Sequence, residues 1–343
     1  MSTTRLRWGY YDTKMTDLTV VEKCCPCSKQ VPFFWKINWA AALLHLANTV
    51  ATLILWAISE DQDQTFQLAE NYAPWINITD MDESTFVNGC PVSDANRIFR
   101  ISDEFCVERR TAYTSELSLW WLVIVFHFLS FAFQTLAMAD WTFKCCGKTC
   151  TRKNLVNEVD DDGTNVLRMI EYSVSATLMQ IAIALILGIW DRLLIGAVAA
   201  LTVVTMLCGL IAEQLASDKL GLAWVAHATG WLAMGAVWTI LGRQFGFTIE
   251  KATEQATATP PEFVYAIVIV IGVLYTGFGF IQGVQLCSKK SDRVVCCPSD
   301  RRCTCSTTRN RAVELAYCFM SLTSKTFLGW IIFASALGGM AQS

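Results

Sequence analysis

Seven uninterrupted apolar blocks, each roughly 20 residues or longer, decide what this chain can fold into. They run Ile37–Ser59, Leu117–Ala139, Val166–Trp190, Leu193–Ala212, Leu220–Leu241, Phe263–Leu286 and Ala312–Ser335. As helices, blocks of this length cross a hydrocarbon core of ~30 Å. Lipid offers no partner to backbone N–H and C=O groups, so continuous apolar runs this long read as helices and not as barrel strands. Composition agrees: 17% of the 343 residues are charged, where a soluble domain carries about 25%. No short, basic, cleavable leader precedes the first block, which is therefore expected to be an anchor. The formal charge of −3 does not point to a nucleic-acid partner; the expected surroundings are membrane lipid, in the cell membrane or an endomembrane. The fold class is all-α membrane: residues 37–337 form a seven-helix domain, between an N-terminal segment 1–36 and a tail 338–343.

Basic residues orient the bundle. Of 27 Lys and Arg, 19 fall in segments sharing a side with the N-terminus and seven on the other, so the N-terminus is expected in the cytoplasm and the C-terminus outside. Two marks in the long extracellular loop 60–116 fit that orientation. Asn77-Ile78-Thr79 is a glycosylation acceptor, used only on the lumenal side. Cys90 and Cys106 are the only cysteines expected outside, an even number where disulfides form. Eleven of the 15 cysteines sit instead near helix ends on the inner side: Cys24, Cys25 and Cys27; Cys145, Cys146 and Cys150; Cys287, Cys296, Cys297, Cys303 and Cys305. They make the basic cytoplasmic loops 142–165 and 288–311 Cys-rich. Acylation, structural zinc and no special role all remain open for them. Asp160-Asp161-Asp162-Gly163 lacks the alternating acids and closing Glu of a calcium loop and reads as a solvated turn. Pro260-Pro261 marks a break before the sixth helix.

Ionisable groups deep in membrane helices cost a few kcal/mol unless paired, and so mark function. Lys325 lies near the middle of the seventh helix. A lysine this deep is neutralised, paired, or converted to a Schiff base. Glu171, one turn past Arg168 in the third helix, is its best partner. A purely structural ion pair is the plain alternative. His45, His127 and His227 are more often packing residues than ligands. A zinc hydrolase would need a His-x-x-x-His pair near the last helix, which has no histidine, so no metal is expected.

The resemblance rests on four stretches. The seventh helix reads Phe319-Met320-Ser321-Leu322-Thr323-Ser324-Lys325-Thr326-Phe327-Leu328-Gly329-Trp330. The third opens Leu167-Arg168-Met169-Ile170-Glu171-Tyr172-Ser173, the first contains Asn38 and then Leu44-His45-Leu46, and the sixth begins Pro261-Glu262-Phe263-Val264-Tyr265. In these stretches and in its inverted topology, over nearly all seven helices, the chain resembles the heliorhodopsins, retinal proteins with a rhodopsin-like bundle. The resemblance implies a light receptor and not an enzyme. All-trans-retinal would sit on Lys325 as a protonated Schiff base, with Glu171 as counterion and Ser321, one turn before Lys325, hydrogen-bonding between them. Tyr172, Ser175, Thr177, Met179, Trp224 and Tyr275 would line the pocket. His45 would belong to an inner proton cavity whose second histidine is replaced by Gln134, which cannot titrate; His127, two turns earlier, is not expected to replace it. Where outward pumps carry carboxylates this chain has Ser321 and Ala182. The resemblance thus implies a slow-cycling sensor, a homodimer acting on an unknown cytoplasmic signalling partner. Light-gated passive proton conductance is the alternative.

Overall fold

The protein is described by a computed structural model over residues 31–58, 65–72, 75–77, 86–87, 90–91, 98–100, 105–108, 110–139, 141–145, 148–152, 165–254, 260–289 and 305–340. Among these residues there are seven long helices: α1 (Val31–Ile58), α2 (Leu119–Met138), α3 (Val166–Ile186), α4 (Arg192–Leu215), α5 (Leu220–Glu254), α6 (Glu262–Lys289) and α7 (Cys305–Met340). Each carries a span long and apolar enough to cross a membrane, and each falls on one of the seven blocks. The largest differences are at the end of α5, which runs on past Leu241 to Glu254, and at the start of α7, which begins at Cys305, ahead of Ala312. Hydropathy marks only what lies in lipid; the polar continuation of α5 through Arg243 and Lys251 keeps the helical backbone bonds without being apolar. Helix α1 likewise begins inside the segment read as an N-terminal tail.

Helices adjacent in sequence pack against one another, and α7 closes the ring onto α1. Helix α3 is the inner member, with 61% of its span buried against 22% for α4 and α6. Large apolar side chains such as Leu232 and Phe319, 76% and 70% exposed, face outward. On a soluble protein they would be a liability; on a membrane bundle they are the lipid face. Short connections keep α3, α4 and α5 antiparallel. Helix α3 stops at Gly188, whose φ of 81° is the left-handed conformation that glycine takes without steric cost. Asp191 then caps α4, accepting from the Leu194 N–H at 2.9 Å.

The long loop after α1 is built of strands. The strands β1 (Thr65–Tyr72), β2 (Trp75–Asn77), β3 (Phe86–Val87), β4 (Cys90–Pro91), β5 (Ile98–Arg100), β6 (Phe105–Glu108) and β7 (Arg110–Ser118) form three small sheets. Strands β1 and β7 pair antiparallel from Thr65↔Ser118 to Tyr72↔Arg110, extending α1 and α2 beyond the bundle. This ribbon docks on the α3–α4 turn, where the Ala69 N–H donates to Trp190 O at 2.8 Å. The backbone places Asn77 in β2, Cys90 in β4 and Cys106 in β6; their side chains, and with them the expected glycosylation and Cys90–Cys106 disulfide, lie outside the described residues. The basic connection after α2 holds a hairpin, β8 (Trp141–Cys145) with β9 (Lys148–Arg152), where the sequence suggested only a loop. Cys24, Cys25, Cys27, Cys146, Cys296, Cys297, Cys303 and the Asp160–Gly163 turn lie outside the described residues.

Candidate functional site

Inside the bundle the termini of three side chains meet. Lys325 of α7 is 2% exposed. Its Nζ donates to Glu171 Oε1 of α3 at 2.6 Å and to Ser130 Oγ of α2 at 2.5 Å. The Ser130 hydroxyl also lies 2.6 Å from the same carboxylate oxygen. The Tyr172 ring centroid is 5.2 Å from Nζ, so an aromatic face adds to the cation's stabilisation. Burying two charges is tolerable only with such geometry; removing one partner would leave the other unpaired at a cost of about 3–5 kcal/mol.

Ser130, not Ser321, is the hydroxyl between cation and carboxylate. Ser321 does lie one turn before Lys325 on the same face of α7, buried on the wall of a cavity, but the Lys325 amine donates to Ser130 and Glu171. The i, i+4 spacing fixed its face correctly. It could not show that a residue of α2, distant in sequence, reaches the pair first.

From Lys325 a mostly apolar cavity runs between α3, α4, α5 and α6. Tyr172, Ser175, Met179 and Tyr275 line it. Thr177 and Trp224 do not. Thr177 turns its hydroxyl back to Ser173 O at 2.6 Å, and Trp224 is 37% exposed on α5. The tryptophan on the wall is Trp231, two turns further along the same helix. It lies against Gly279 of α6, where a Cβ would come within 2.5 Å of the indole. His227, expected to be packing, is also on the wall and sits in a chain of hydrogen bonds. The Trp231 indole N–H donates to His227 Nε2 at 3.0 Å, His227 Nδ1 meets Gln282 Oε1 at 2.9 Å, and Gln282 Nε2 donates to Gly209 O at 2.9 Å. With Nε2 accepting, the imidazole proton is on Nδ1. An apolar slot with aromatic walls and one amine at its end fits a rod-like polyene aldehyde; the residues present suit retinal.

The histidines correct a second expectation. His45 of α1 and His127 of α2 are both buried and share a hydrogen bond at 3.4 Å between their Nδ1 atoms. His127 therefore stands beside His45, and Gln134 does not: its amide reaches Asn38 Oδ1 at 3.3 Å and Cys318 Sγ at 3.1 Å. Among the described residues His127 Nε2 has no hydrogen-bond partner, and Gly329 gives it room, since a Cβ there would lie 2.8 Å away. Position along α2 alone did not show that the ring would meet α1 two turns from Gln134.

A second buried charge cluster was missed in the sequence. Arg168 of α3 pairs with Glu213 of α4 at 2.5 Å and with Glu314 of α7. Both acids lie near helix ends, where charge raises no alarm in a hydropathy reading.

A family model described as Heliorhodopsin matches residues 95–291, more than half of the chain. Among solved structures, the crystal structure of a light-driven proton pump LR (Mac) from Leptosphaeria maculans has a TM-score of 0.53 and 12% sequence identity, covering 89% of this chain and 96% of that chain. At that identity the likeness is one of fold. No curated protein matches the chain in sequence. The matched region takes in Glu171 and most of the cavity but ends before α7, so the place of Lys325 rests on geometry. The chain belongs to the heliorhodopsin family and is a light-sensing retinal protein that crosses the membrane several times.

Proposed function

We propose that this heliorhodopsin is a light receptor in which all-trans-retinal is joined to Lys325, Glu171 is the counterion, and a slow photocycle feeds a sensory output without active pumping. The observation that carries this reading is the buried Lys325–Glu171 pair, 2.6 Å apart, on the wall of the cavity. When bound, the aldehyde condenses with the lysine amine and supplies visible absorption and light-driven isomerisation. The chain supplies everything else. Glu171 stabilises positive charge on the lysine nitrogen and keeps it protonated. Ser130 fixes the carboxylate and nitrogen relative to each other. The apolar wall from Met179 to Trp231 excludes water, which makes each of these polar contacts stronger. Displacing the nitrogen from Glu171 removes that stabilisation, and the helices settle around a changed set of contacts.

The case against pumping rests on Ser321 and on Ala182, which lies fully buried in the apolar core. Neither can hold a proton where pumps place carboxylates. Passive proton conductance is favoured by a different observation: polar side chains flank the pair on both sides, Asn38, Gln134 and Cys318 toward one end and His45 with His127 toward the other. The orientation, with the N-terminus cytoplasmic, rests on the basic residues. Homodimer formation and a cytoplasmic signalling partner docking on the Cys-rich basic loops belong to the same proposal. Whole-cell current under illumination at clamped voltage tests it. Sensing gives no current at any voltage, and conductance gives a current that reverses with the proton gradient. Sustained current against the gradient would contradict both.

A further inference from the structure

The pair at the cavity is not the only charged tie between α3 and α7. Arg168 lies three residues before Glu171, and Glu314 eleven residues, close to three turns, before Lys325. Arg168 donates through Nη1 to Glu314 Oε2 and through Nη2 to Glu213 Oε1 at 2.5 Å, and Asn165 donates to the other Glu314 oxygen at 2.6 Å. All three charged residues are buried. The two helices are thus tied twice with the polarity reversed: α3 offers an anion to Lys325 and a cation to Glu314. Such a buried cluster does not loosen by degrees, because a displaced partner leaves an uncompensated charge behind.

Tyr317 joins this cluster to the cavity. Its ring lies under the Arg168 guanidinium, 4.1 Å from centroid to Cζ, and stacks on Phe278 at 6.0 Å and 20°. Both rings line the cavity. The Tyr317 carbonyl accepts from the Tyr172 hydroxyl at 3.1 Å, and Tyr172 stands beside Lys325. A change of shape in the cavity therefore presses on the ring that supports Arg168.

We propose that Arg168, Glu213 and Glu314 form a latch that holds the N-terminal-side ends of α3, α4 and α7 together in the dark. Tyr317 carries the state of the cavity to it, so that light opens this end of the bundle. The latch is the output step of the light receptor proposed above and depends on that reading for its trigger. Its charges face one another from all three helices, so a movement of α7 is felt by α3 and α4 at once.

Hydrogen–deuterium exchange, followed by mass spectrometry on the retinal-loaded protein in the dark and under steady light, tests this. In the wild type, light should speed exchange about tenfold in peptides from the first turns of α3 and α7, the loss expected when charged hydrogen bonds open. Glu314→Gln should exchange fast already in the dark and gain little in light, with the dark visible band unmoved because Glu171 and Lys325 are intact. Tyr317→Leu, which leaves all three charges in place, should keep dark exchange slow and blunt the response to light. If Glu314→Gln fails to fold, Arg168→Lys, which keeps the charge but not the two-way fork, should give the same pattern more weakly. Equal light and dark exchange in a coloured wild type would overturn the latch, as would a Tyr317→Leu response equal to wild type. A wild type that takes up no retinal would instead overturn the proposed function.

Discussion

The Ser130 hydroxyl oxygen lies 2.5 Å from Lys325 Nζ. Because the hydroxyl also contacts Glu171 Oε1 at 2.6 Å, one side chain of α2 sets how the cation on α7 faces the anion on α3. Ser130→Ala should keep the pigment but loosen that geometry. The visible band should then be lost at milder alkalinity than in the wild type, and stability should fall by about 1.5–3 kcal/mol, as for a hydrogen bond to a charged group. Ser321→Ala, which leaves the Ser130 bridge to Lys325 and Glu171 in place, should shift the alkaline titration less. A spectrophotometric titration of the two variants side by side decides this, and a larger effect at Ser321 would restore the sequence expectation.

Glu171→Gln removes the anion and keeps the shape. The charged form of the linked nitrogen then loses its main stabilisation, so it should give up its proton at lower pH than in the wild type. Any fraction that stays protonated should absorb at longer wavelength. An absorption spectrum unchanged from acid to alkaline pH would mean that another group is the counterion.

Lys325→Ala should give a colourless protein with Glu171 left as an unpaired buried acid, destabilised by about 3–5 kcal/mol. Adding Glu171→Gln to Lys325→Ala should recover most of that loss without recovering colour. Thermal unfolding of the single and double variants measures the coupling. Additive losses would mean that the pair contributes nothing as a pair.

Much of this was legible in the sequence, for physical reasons. Seven spans had to appear as seven apolar blocks because lipid permits little else, and a lysine and an acid inside those blocks had to meet something. The i, i+4 spacing placed Ser321 on the face of Lys325. What stayed hidden was lateral: which residue of a neighbouring helix arrives first. Ser130 at the ion pair, His127 beside His45, and Trp231 on the wall in place of Trp224 all depend on helix rotation and close approach, here set partly by Gly279 and Gly329. The Arg168 cluster escaped because charges near helix ends look solvated until a third helix covers them.

The orientation has its own test. In a eukaryotic host, Asn77 should be glycosylated and a C-terminal tag should be reachable on unpermeabilised cells. A tag detected only after permeabilisation would invert the bundle, and the latch at the N-terminal-side end would then face outside.

Lys325 is the residue proposed to carry retinal, and everything at the cavity follows from that bond. Borohydride reduction of the coloured protein, followed by peptide mapping, reads that bond directly. The reduced retinyl group should be found on the peptide containing Lys325 and on no other lysine. A coloured protein whose label maps elsewhere, or whose Lys325 peptide is unmodified, would contradict it.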